Sequence, residues 1–181
     1  MNTLNKELNI PGFLQELHGQ RARVIDLLLT YLTGVLVCIT VLYYAREMGG
    51  WKQVVLGFLT LDLAGGIVAN FTEGTNLYYK NRAGKRYFFI ALHVLQPLLI
   101  YYVFSVADNF IPLMAITAYT LVAMLLINGL TDYLNQRVYA AFFLVLGLSV
   151  VFCLNYSHPI VTLLVLLYMI KLLLAFAVKW N

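Results

Sequence analysis

Apolar residues in this chain run together rather than alternate. Six long runs stand out, over residues 24–45, 51–72, 87–106, 110–128, 138–154 and 159–179. At ~1.5 Å of rise per residue, each can cross ~30 Å of hydrocarbon as an α-helix, the fifth only just. Alternating segments of ~10 residues, the mark of a membrane β-barrel, do not occur. The pattern predicts an all-α, polytopic membrane protein, with one bundle of six transmembrane helices over 24–181. Pro112 and Pro159 fall near predicted helix starts, where a missing N–H costs nothing. Trp51, Tyr87 and Trp180 fall at predicted ends, as interfacial aromatics do.

Residues 1–23 break this pattern. They are polar, are interrupted by Pro11 and Gly12, and carry no short apolar core with a small-residue cleavage site. The first membrane helix is therefore expected to do the targeting. Two readings of the segment stand side by side. Phe13, Leu14 and Leu17 can share a helical face, which suits an amphipathic helix lying on the membrane surface. The other reading is an ordinary polar tail.

Composition sharpens the class. The chain is 62% hydrophobic and 11% charged, whereas soluble domains carry roughly 25% charged residues. The net charge of +4 does not point to nucleic acid, because no aromatic-basic motif accompanies it. It bears on topology instead. Lys6, Arg21, Arg23, Lys80, Arg82, Lys85, Arg86, Arg137 and Lys179 collect on one side of the six predicted spans, against Arg46 and Lys52 on the other. The positive-inside rule then places both termini in the cytoplasm, in a plasma or inner membrane. Cys38 and Cys153 fall in predicted helices without CxxC spacing and read as small apolar side chains.

Polar residues inside the runs supply the candidate chemistry. Asp62, Gly66, Asn70 and Glu73 are spaced by four, four and three, so they share one face of the second helix. Gly65 and Ala69 form a small-xxx-small pair beside them, which invites close helix packing. In the third helix His93 and Gln96 share a face, and Pro97 cannot donate to the His93 carbonyl. The first helix carries a polar stripe from Asp26, and the last carries Tyr168 and Lys171. Asp62 and Lys171 sit ~16 and ~18 Å from the same membrane side, so an intramembrane ion pair is the economical arrangement. Strongly polar groups occupy the midplane and the predicted cytoplasmic half, which predicts a pocket open to the cytoplasm.

Three functions compete. The first, favoured because the polar groups occupy one half of the bilayer, is a membrane-embedded enzyme acting on a lipid or amphiphile. His93 would be its general base, Glu73 or Asp26 its acid or orienting group, and Asn70, Asn76 and Gln96 its substrate contacts. Lys80, Arg82, Lys85 and Arg86 would hold an anionic headgroup. A metal on His93, Glu73 and Asp26 is chemically allowed, but no ligand spacing specifies one, and the sequence names no cofactor. The second is a small transporter or channel-like subunit using the Asp62–Lys171 pair, with Gly65–Gly66 as a hinge. The third is a membrane subunit that binds a partner subunit or a second copy of itself. Membrane lipids are partners under every reading.

Overall fold

The computed structural model describes residues 3–80, 82–104, 110–154 and 156–180. Six helical spans are long and apolar enough to cross a membrane: Val24–Tyr44, Gly50–Phe71, Ala83–Phe104, Phe110–Gly129, Tyr133–Leu154 and Pro159–Phe176. The class is thus an integral, multi-pass membrane protein. The expected end of the third run, at Val106, lies outside the described residues. The fifth span begins at Tyr133, five residues before the apolar run does, and so has length to spare.

The third span and the last differ from the continuous helices expected of them, and the second ends one residue early. The second, α3 (Gly50–Phe71), ends at Thr72, whose backbone is extended (φ −73, ψ 148). A new helix, α4 (Glu73–Lys80), follows at once. Local side-chain bonds make this break. Thr72 Oγ1 donates to the Ala69 carbonyl at 2.8 Å and accepts from the Thr75 amide at 3.4 Å. The Asn76 amide donates to the carbonyls of Asn70 and Thr72 at 2.8 and 3.0 Å. Carbonyls at a helix end need such partners. Replacing Asn76 by Ala is therefore expected to lower unfolding stability by about 1–3 kcal/mol. Thermal denaturation in detergent, followed by circular dichroism, measures the loss.

The third span is two helices, α5 (Ala83–Leu92) and α6 (Leu95–Phe104), with a turn at His93–Val94. Pro97 is the cause, since it removes the N–H that would continue the ladder. The last span begins as α9 (Pro159–Met169) and widens into a π-helical stretch at Ile170–Phe176. The Ala177 amide there donates five residues back, to the Leu172 carbonyl, at 2.9 Å.

Of the six spans, α3 and the last are the most buried, while α2 (Val24–Tyr44) and α8 (Tyr133–Leu154) are peripheral. Leu56, Leu63, Leu113 in α7 (Phe110–Gly129), Leu164, Met169 and Leu172 form the fully buried centre. Close approach of α2 and α3 depends on glycine. A Cβ on Gly34 would lie 3.4 Å from the Leu61 carbonyl oxygen, and one on Gly65 would lie 3.2 Å from that of Thr30.

Both chain ends lie on one face of the bundle, here called the terminal face. The Lys179 amide donates to Gln136 Oε1 at 2.8 Å, and the Trp180 amide to Asn76 Oδ1 at 3.3 Å. Residues 3–23 are neither a tail nor one amphipathic helix. β1 (Glu7–Asn9) pairs antiparallel with β2 (Arg21–Arg23), Leu8 opposite Ala22, around a short helix α1 (Gln15–His18). This unit is seated on α4. Thr75 Oγ1 donates to the Leu17 carbonyl at 2.7 Å, and the Tyr79 hydroxyl to that of Glu16 at 3.1 Å. Burial, with the nearby Glu16 charge adding to it, raises the Tyr79 phenol well above its ordinary value, so it remains a donor. His18 is buried and bonded to the Tyr31 hydroxyl at 2.8 Å. Phe13, one of the three apolar residues expected to share a face, points outward.

Candidate functional site

Asp62 lies on α3 about 18 Å from its Gly50 end and about 14 Å from its Phe71 end. The structure brings three groups from other elements to it or near it. Lys171, in the π-helical stretch, places Nζ 2.8 Å from Asp62 Oδ1. Gln96, at the start of α6, donates from Nε2 to Asp62 Oδ2. His93, at the α5–α6 turn, packs on Phe89 with ring centroids 3.9 Å apart, and Lys171 Nζ lies 5.8 Å from that same Phe89 ring. Two of the three interruptions, the His93–Val94 turn and the π-helical stretch, therefore coincide with the polar cluster. Backbone irregularity in a span is tolerated where it lines a site, and discontinuous helices commonly build one.

Gly66 makes room for the pair. A Cβ there would lie 2.6 Å from Lys171 Cε and 2.9 Å from Nζ. The methylene stem of Lys171 occupies the space that a side chain on α3 would fill. The ammonium also sits 5.8 Å from the Phe89 ring centroid, near enough for cation–π attraction. The ion pair is asymmetric in exposure: the Lys171 side chain is 3% exposed and the Asp62 side chain 48%. The carboxylate opens onto a groove of about 280 Å³ between α2 and α3, lined by Leu17, Thr30, Tyr31, Phe58, Leu61 and the glycines.

Several buried polar atoms near the cluster have no hydrogen-bond partner among the described residues. His93 Nδ1 lies 2.6 Å from the Phe89 carbonyl, which can only accept. Nδ1 therefore carries a proton, and the buried Nε2 has no hydrogen-bond partner. Gln96 Oε1, Asn70 Nδ2 and Thr30 Oγ1 are likewise buried and unpartnered. Such groups are costly in an apolar interior and mark places where water or a ligand belongs.

Other expected site residues fall elsewhere. Glu73 and Asp26 line a separate shallow pocket at the terminal face, with Arg21 and Arg23. Asp26 is held there by Arg23 through two bonds of 2.9 Å. Neither joins His93. Among the described residues no group of three or more His, Cys, Asp or Glu could hold a metal ion. Asn76 holds the helix break through its bonds to the Asn70 and Thr72 carbonyls. Of the four basic residues, Arg82 and Lys85 share Tyr78. Lys85 pairs with Glu16 at 2.6 Å and Tyr78 at 2.7 Å. Arg82 stacks on the Tyr78 ring at 4.0 Å, and Lys80 is exposed. Arg86 turns into the bundle, donating to Asn128 Oδ1 and the Phe176 carbonyl, both at 2.8 Å.

Fold and site together define a six-span integral membrane protein with a polar cluster in mid-bundle. No known family model, curated protein or solved structure matches the chain.

Proposed function

We propose that this protein is a small membrane carrier, its solute site the Asp62–Lys171–Gln96–His93 cluster and its terminal face cytoplasmic. The observation that carries the reading is the asymmetry of the ion pair. A fully buried cation is matched to a carboxylate that is reachable from a groove. A solute that hydrogen-bonds to Asp62 competes with Lys171 or Gln96 for the same oxygens. Protonation of Asp62 would leave Lys171 an unmatched cation in hydrocarbon, which is strongly unfavourable. Proton binding and solute binding are thus coupled through one carboxylate, and His93 Nε2 offers a second proton acceptor nearby. The excess of Lys and Arg on the terminal face supports the orientation.

Reconstituted vesicles with a trapped pH dye test this. After an imposed pH step, vesicles with the native chain should equilibrate faster than empty ones. Asp62→Asn should abolish the excess rate, whereas Glu73→Gln, outside the cluster, should keep it. Equal rates for native and Asp62→Asn vesicles would rule out proton passage through Asp62.

The second reading, an embedded enzyme, rests on His93 Nε2 as general base toward a solute in the same place. His93→Ala would then abolish turnover of that solute while leaving its binding intact.

A further inference from the structure

The groove beside Asp62 has apolar walls and one polar end. Phe58, Leu61, Tyr31 and Leu17 supply the walls. The end is formed by the half-exposed Asp62 carboxylate and by Thr30, which is 2% exposed with an unpartnered Oγ1. Gly34 and Gly65 keep the floor between the helices low: a Cβ on Gly65 would press on the Thr30 carbonyl, and one on Gly34 would touch that of Leu61. The groove opens on the flank of the bundle, where Phe58 and Leu61 are exposed, so a molecule dissolved in the bilayer reaches it sideways.

Charge complementarity selects the occupant's head. Lys171 already neutralises Asp62, so a cationic head would leave an unmatched positive charge in hydrocarbon. An anionic head would confront the carboxylate. An ionised carboxylate only accepts hydrogen bonds, so the head must donate. A hydroxyl does this without charge, and it can also bond Thr30 Oγ1 in either direction. We propose that the groove binds an uncharged amphiphile with a hydroxyl head and a hydrocarbon tail, drawn from the bilayer. This rests on the reading of the cluster as a solute site and names the class of solute.

The test uses the full chain in nanodiscs of phosphatidylcholine. The probes are a long-chain alcohol carrying a photoactivatable diazirine, the matching amine and the matching carboxylic acid. Labelled residues are mapped by mass spectrometry. The alcohol should label α2 and α3 around Tyr31, Phe58 and Leu61 about a hundredfold more efficiently than the amine or the acid, the factor expected from burying one uncompensated charge. Leu61→Trp fills the groove from an exposed position and should abolish that labelling without disturbing the fold. Equal labelling by all three probes, or labelling unchanged in Leu61→Trp, would each overturn the proposal. Selective labelling without proton coupling in the vesicle assay would instead remove the carrier and leave the groove's ligand class standing.

Discussion

Asp62→Asn is expected to cost the folded protein about 3–5 kcal/mol, the range for removing one partner of a buried ion pair. Lys171→Met is expected to cost clearly less. The two variants leave different survivors. Without the carboxylate, Lys171 remains as an ammonium that is 2% exposed, with no counter-charge. Without the ammonium, Asp62 faces the groove rather than the packed interior and still accepts from Gln96. The methionine also fills the space above Gly66 that the lysine stem occupied. Combining Asp62→Asn with Lys171→Met should recover most of the loss, because no charge then stays unmatched. Unfolding by denaturing detergent in mixed micelles measures all three. Equal costs for the two single variants, or the reverse order, would show that the pair does not face the surroundings described.

The second large effect is expected at the seat of the amino-terminal hairpin. A Cβ on Gly74 would lie 2.3 Å from the Arg21 carbonyl oxygen and 2.5 Å from that of His18. Gly19 faces it, with φ +78 and its own added Cβ 2.0 Å from the Gly74 oxygen. These are backbone atoms and cannot swing aside. Gly74→Ala should therefore unseat residues 3–23 and expose them to protease, while the spans stay folded. Limited proteolysis would show cleavage confined to this segment in the variant and slow cleavage in the native chain. The seating should also depend on pH. Burial lowers the His18 imidazole below its ordinary value of 6.5. A histidine with a depressed folded value supports the folded form fully above pH 6.5. That support falls as pH drops through 6.5 toward the lower value, because the released segment takes up the proton first. Native cleavage should accordingly speed up in mild acid, and Gly74→Ala should show little further change.

What the sequence reveals here follows the range of each interaction. The spans are legible because an apolar run of sufficient length has one stable solution in a bilayer. The interruption at His93–Val94 is half legible, since Pro97 announces a lost backbone bond. The break at Thr72 falls where the second apolar run ends, but the new helix that follows it at once is not announced. The break's signals are short polar side chains, Thr72, Thr75 and Asn76, that fold back on the backbone. That Asp62 and Lys171 share a depth can be counted from the sequence. That α3 and the last span are the two central helices cannot. Arg86 shows the limit of charge counting. It weighs the same as Lys80 in a topology argument, yet it turns into the bundle and Lys80 faces outward. The hairpin of residues 3–23 depends on three-residue strands and two facing glycines, none of which gives a periodic signal.

The missing side chain at position 66 ties the history of two sites together. Because the stem of Lys171 lies where any larger residue at 66 would go, neither position is free to drift alone. Homologues that gain bulk at the first must shorten or reroute the second, and those that lose the lysine inherit a hollow that a bigger neighbour is then free to fill. Paired substitution at 66 and 171 in diverged chains is the trace this packing leaves.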